Sequence, residues 1–185
     1  MKYDPAKHHR RSIRLKGYDY AQAGAYFVTI CVQGRECVLG KVVDGQMRLN
    51  DWGRVAEECW MWLGDQYPYV VLDTWAVMPN HLHGIIVLDD RKGDSRIALT
   101  RIALTTDKRK PLGRLVGVFK TVSTKRINEM RGTPGAVFWQ RNYWEHVIRN
   151  DADLARIRAY IQNNPARWTG DQLHPDAPSN KYNRG

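Results

Sequence analysis

Along the chain, short blocks of apolar and β-branched residues alternate with segments whose apolar positions recur every three or four residues. Residues 26–32 (YFVTICV) predict a strand. Residues 37–49 predict a hairpin, because Asp44-Gly45 stands between two short runs and readily supplies the positive φ angles of a two-residue turn. Asn50 or Asp51 can cap a helix in which Trp52, Val55, Cys59 and Trp62 follow at helical spacing, with Gly64 as the expected stop. Residues 70–78 and 81–88 predict two strands separated by Pro79-Asn80, a tight turn that makes them antiparallel neighbours. A long helix is expected over 112–130, with Leu115, Val118, Phe119, Val122 and Ile127 on its apolar stripe. Its exposed face is expected to carry Arg114, Lys120, Lys125 and Arg126. Gly132-Thr-Pro-Gly135 breaks that helix, and residues 137–139 and 143–148 predict short elements. Asn150 caps a last helix with Asp151 and Asp153 in its first turn and Leu154, Ile157 and Ile161 buried; Pro165 ends it.

Strands and helices in this order predict an α+β sandwich, a small antiparallel sheet with helices packed on one face. A chain of 185 residues suffices for one core. It divides into a basic arm (1–24), one compact domain (25–168) and an irregular tail (169–185). A polar insertion at about 89–110 carries the duplication Arg96-Ile-Ala-Leu-Thr100, Arg101-Ile-Ala-Leu-Thr105.

Charge changes the picture. The net charge is +10, and it is concentrated: six Lys/Arg against one Asp in residues 1–17, and eight against Asp107 and Glu129 in 107–131. Such a distribution points to a polyanionic partner. The sequence has no run near the roughly 20 apolar residues of a membrane span and no apolar segment after the basic start, so a cytoplasmic protein is expected. Cys31, Cys37 and Cys59 form no C-x-x-C pair and read as reduced thiols with packing roles.

The sharpest chemical signal is Pro79-Asn80-His81-Leu82-His83-Gly84. On a strand, residues i and i+2 share a face, so two imidazoles there can share one divalent cation. Taken alone, the pattern more often marks two surface or half-buried histidines with ordinary hydrogen bonds. Residues 139–149 (WQRNYWEHVIR) combine aromatics with Arg141 and Arg149, suited to stacking bases and holding phosphates. Tyr160 and Asn164 lie four apart on one helix face. Tyr143, beside Arg141, Glu145 and His146, is a rival nucleophile.

Together, Met78-Pro-Asn-His-Leu-His-Gly-Ile85, Trp139-Gln-Arg-Asn-Tyr-Trp-Glu-His-Val-Ile-Arg-Asn150 and Tyr160-Ile-Gln-Asn-Asn-Pro165 resemble the REP-associated tyrosine transposases. These are relatives of insertion-sequence transposases within the HUH single-tyrosine endonuclease superfamily. The resemblance spans about residues 18–168. It implies a ferredoxin-like αβ sandwich with the histidines on a central strand and the tyrosine on a C-terminal helix. It further implies that His81 and His83 are metal ligands, Asn164 a third ligand and Tyr160 the nucleophile. The implied cofactor is Mg²⁺ or Mn²⁺, with Ni²⁺ or Zn²⁺ able to occupy the same site in a crystal. The implied substrate is single-stranded DNA, in hairpin-forming repeats, cut through a 5′-phosphotyrosine by a monomer or a homodimer. Two alternatives share many of these features. One is a ferredoxin-like RNA- or DNA-binding module without chemistry; the other is a metal-dependent phosphodiesterase using water.

Overall fold

The computed structural model describes residues 17–89 and 109–178. Most of the expected arm and insertion, and the end of the tail, lie outside the described residues. Within them, β1 (Gly24–Cys31), β4 (Val70–Met78), β5 (His81–Leu88) and β6 (Trp144–Ile148) form one sheet in the order β4-β5-β1-β6. Every neighbouring pair is antiparallel. α1 (Asp51–Gln66) carries the chain from β1 to β4, and α2 (Leu112–Arg131) lies between β5 and β6 in sequence. Each of these connections skips one strand, which is the ferredoxin-like arrangement.

Local signals account for most element limits. β2 (Gly40–Val43) and β3 (Gln46–Leu49) form the expected hairpin. Both of its turn residues adopt positive φ, 51° at Asp44 and 71° at Gly45. Asn50 caps α1, its side chain accepting from the Gly53 N–H at 2.9 Å. Gly64 does not stop α1, however. The helix runs to Gln66 and ends at Tyr67, whose backbone is extended; Pro68 follows, and the residue before a proline is driven out of the helical region.

The pleat sorts the sheet into two faces. Tyr26, Val28, Ile30, Leu82, Ile86 and Leu88 point to the side covered by α1 and α2, where they meet Val55, Cys59, Trp60 and Leu63 of the first helix and Leu115, Phe119 and Ile127 of the second. Trp60 meets Phe119 edge-on at 5.5 Å. Gly84 makes this possible: a Cβ there would lie 2.3 Å from Trp60 Cζ2. The expected helix-on-one-face sandwich is thus formed by α1 and α2. α3 (Asp151–Asn163) adds a layer on the other face, where Ile157 and Ile161 pack on Phe27, Ile85 and Ile148. Among the described residues no helix is long and apolar enough to cross a membrane.

Gly84→Ala is expected to destabilise the protein by about 1–3 kcal/mol, the usual cost of forcing atoms into a packed core. Urea denaturation checks this through a lower midpoint at unchanged slope; an unchanged midpoint would mean that Trp60 can step aside freely.

Candidate active site

His81 and His83 point from β5 toward α3, both almost fully buried at 0% and 2% exposure. Their ring centroids are 4.3 Å apart. Burial of an imidazole requires a partner for its N–H, and each ring has one at Nδ1. His81 Nδ1 is 2.8 Å from Asn80 Oδ1. The Asn80 amide is oriented by its own Nδ2, which donates to the Arg35 and Leu173 carbonyls at 3.2 and 2.7 Å. Its oxygen can only accept, so His81 carries its proton on Nδ1 and leaves Nε2 a bare lone pair. That Nε2 is buried with no hydrogen-bond partner among the described residues. His83 Nδ1 is 2.8 Å from Thr29 Oγ1 on β1, and its Nε2 is 3.2 Å from the Tyr160 hydroxyl. Burial drives both pKa values down, to about 3 for His81 and well below 6.5 for His83, which the neighbouring His81 lowers further.

Tyr160 reaches the histidines from α3, which is docked by more than its apolar stripe. Arg158 holds Asp73 of β4 through Nε and Nη2, at 2.8 and 2.5 Å. Asp153 accepts from Arg156, and its Oδ2 lies 2.7 Å from His146 Nε2 on β6. The Tyr160 ring meets His83 at 5.2 Å and Phe27 at 6.0 Å. Burial first, and then the Asp171 charge, raise its pKa to about 12. Asn164, buried at the end of the helix, donates through Nδ2 to Asp171 Oδ2 at 2.9 Å, and its Oδ1 has no hydrogen-bond partner among the described residues.

Asp171 is the residue that the sequence pattern did not single out. It follows a 3₁₀ turn, Pro165–Gly170, and is only 9% exposed. One ligand atom from each of His81, His83 and Asp171 lies within 4.8 Å of the others, so these three side chains could hold a metal ion. Trp168 covers the cluster, its ring 6.0 Å from that of His81.

The cations expected to bind nucleic acid are placed elsewhere. Arg114, Lys125 and Arg126 belong to α2, across the sheet from the histidines. Arg126 pairs with Glu58 at 2.6 Å, and Lys125 lies 3.9 Å from Glu129. Lys120 is not on an open face: its Nζ donates to the Gln140 and Asn142 carbonyls at 2.8 and 2.9 Å, and burial lowers its pKa to about 8. Arg141 and Arg149 are exposed on either side of β6. Tyr143 packs on the α1–α2 core, with Lys120 Nζ 5.5 Å from its ring centroid.

A ferredoxin-like sheet with a histidine pair on an inner strand, faced by a helix-borne tyrosine, has the form of a tyrosine transposase. Comparison with known proteins agrees. An uncharacterized protein of Haemophilus influenzae is 40% identical over 181 residues, covering 95% of this chain and 98% of its own. A second protein of that organism, assigned as a REP-associated tyrosine transposase, is 25% identical over 166 residues, covering 90% of this chain and 84% of its own. A solved structure of a REP-associated tyrosine transposase bound to a REP hairpin shares the fold, with a TM-score of 0.57 at 18% identity over 88% of this chain and 77% of that one. The chain belongs to one family with the uncharacterized Haemophilus protein and is a relative of the REP-associated tyrosine transposases. No protein-family model matches it.

The depressed histidine pKa values have a measurable consequence in metal-free protein. Below pH 6.5 the unfolded chain takes up protons that the native rings refuse, so stability is lost as pH falls, for His81 from about 6.5 toward 3 and for His83 in the same direction. Each ring contributes a slope of about 1.4 kcal/mol per pH unit. Nitrogen NMR at pH 5 in chelator is expected to show both rings neutral; a ring protonating near 6.5 would place it in water.

Proposed function

We propose that the protein is a metal-dependent endonuclease and strand transferase that cuts single-stranded DNA, in hairpins or repeats, through a covalent 5′-phosphotyrosine at Tyr160. The observation that carries this reading is the position of the Tyr160 hydroxyl, 3.2 Å from Nε2 of one histidine of a buried pair. The relatives' names, and the REP hairpin in the solved neighbour, supply the substrate class.

The donor set suits a divalent cation. His81 and His83 would hold it through Nε2 and Asp171 through its carboxylate, while the orphaned amide oxygen of Asn164 is available as a further ligand. Mixed nitrogen and oxygen donors fit Mg²⁺ or Mn²⁺ in use, and Ni²⁺ or Zn²⁺ would fit the same cluster. When bound, the ion would polarise a non-bridging phosphate oxygen and offset the burial and carboxylate charge that hold the Tyr160 proton.

The protein's own groups do the rest. Asn80 and Thr29 fix the ring orientations, and the α3 contacts fix the tyrosine against them. His83 is a poor base for the tyrosine, since its pKa is driven so low. In the transfer, Tyr160 Oη loses its proton and forms a bond to phosphorus as the bond from phosphorus to the 3′ oxygen breaks, and that oxygen takes up a proton to leave a free 3′-hydroxyl. Attack by a 3′-hydroxyl on the phosphotyrosine rejoins strands and returns the phenol. The phosphoester bond is conserved throughout, so no nucleotide cofactor is needed.

Incubation with a labelled DNA hairpin and Mn²⁺ is expected to give an adduct that survives denaturation. Tyr160→Phe should bind the hairpin and form none, while Tyr143→Phe should keep forming it. Binding without any adduct in the wild-type chain would favour a binding module, and a conjugate mapping to Tyr143 would move the nucleophile. Thr29→Val, which keeps the shape and removes the hydroxyl behind His83, should weaken Mn²⁺ binding roughly 10–100-fold, the usual effect of losing an orienting partner. Unchanged affinity by calorimetry would mean that Thr29 is incidental to the metal.

A further inference from the structure

We propose that Trp144 is a stacking platform that seats a nucleobase of the strand whose phosphate lies at His83 and Tyr160. This deepens the reading above and rests on it for the position of the phosphate. All seven tryptophans are among the described residues, and six are buried or half-buried in packed surroundings. Trp144 alone is exposed, at 39%. An indole is costly to leave in water, and among the described residues Trp144 stands on an edge strand with no further strand beside it.

Its position follows from register. Thr29 on β1 is paired with His83 on one side and with Trp144 on the other. The three residues therefore form one cross-strand row on one face of the sheet. Strands lie about 4.8 Å apart, so Trp144 stands about 10 Å from His83 along that row. That is a span suited to a phosphate and the base of an adjoining nucleotide. Phe27 fills the ground between, edge-on to Trp144 at 5.6 Å and to Tyr160 at 6.0 Å. The two exposed rings thus flank one buried ring.

The platform extends to a second ring. His146 is two residues along β6 on the same face, and its ring lies parallel to the indole, 5° between planes and 6.1 Å between centroids. Its side chain is 38% exposed, and Asp153 at the start of α3 fixes its orientation. Two parallel, open, oriented rings beside a tyrosine match the flat faces of bases. Because every base has such a face, this platform should tolerate many sequences.

The test uses the full chain in chelator, so that the DNA stays intact, with 2-aminopurine placed in turn at each unpaired position of a hairpin. Quenching is expected at one position for wild type and Trp144→Phe. It should be lost in Trp144→Ala, with affinity lower by roughly 5- to 100-fold. Wild-type photocrosslinking from 5-iodo-deoxyuridine at that position, which needs no folded variant, should map to Trp144. Wild-type quenching and affinity in Trp144→Ala, or a crosslink to Trp75 or Trp168, would overturn the platform. The Mn²⁺ adduct assay separates the two readings. Trp144-dependent quenching without an adduct keeps the platform and removes the nuclease; an adduct with quenching that ignores Trp144 does the reverse.

Discussion

Two imidazoles buried in the middle of a sheet are tolerated because each has a partner at Nδ1 that turns its Nε2 toward α3, where that of His83 meets the Tyr160 hydroxyl and that of His81 meets no partner among the described residues. Asn80 and Thr29 are those partners, and much of the structure is tied to them. Asn80 does more than orient His81. Its amide holds the Arg35 carbonyl, just after β1, and the Leu173 carbonyl, far along the chain. The Leu173 N–H in turn donates to Asp171 Oδ1 at 2.6 Å. One amide therefore links the turn before β5, the loop after β1 and the segment that carries the carboxylate. Fold closure and site assembly share the same hydrogen bonds.

The two sides of the sheet are built differently. α1 and α2 cover a broad apolar face with large, fully buried side chains. α3 packs Ile157 and Ile161 into a smaller cluster of five buried residues and relies on side-chain clamps to Asp73 and His146. Exposed ion pairs of this kind contribute little stability each. They do fix the rotation of a helix whose apolar stripe is narrow, and Tyr160 depends on that rotation. Stability resides mainly on one face, and the buried histidines and Tyr160 lie on the other.

Much of this was legible in the sequence wherever it left a period. The limits of β4 and β5 follow from unbroken apolar runs around Pro79-Asn80, and the histidine pair follows from spacing of two on a strand. Spacing of four puts Tyr160 and Asn164 on one helix face, while the roles expected of them and of the histidines are implied only by the resemblance of the three motifs together. Asp171 left no such trace. It lies beyond Pro165 in a polar stretch without regular spacing, and only the 3₁₀ turn and the Asn80–Leu173 bond bring it home. The environment of Lys120 was hidden for a related reason: its helical position borders the exposed face, and the Gln140 and Asn142 carbonyls it meets belong to a loop about twenty residues on. Nor does an apolar stripe say which face of a sheet a helix will cover, so the separate layer of α3 was invisible until the strands were paired.

The alternation of β5 has an evolutionary corollary. Its odd positions, His81, His83 and Ile85, face α3, while its even positions, Leu82, Gly84 and Ile86, face the α1–α2 core. Sliding the strand by one residue would carry imidazoles into the cleft reserved for the Trp60 indole and turn a leucine and a glycine toward Tyr160. No intermediate offset exists, because pairing comes only in whole residues. Loops and surface charges can therefore change without moving the histidines, whereas a one-residue insertion or deletion within β5 that shifts its register, rather than being absorbed in a bulge, would turn them away from Tyr160 in one step.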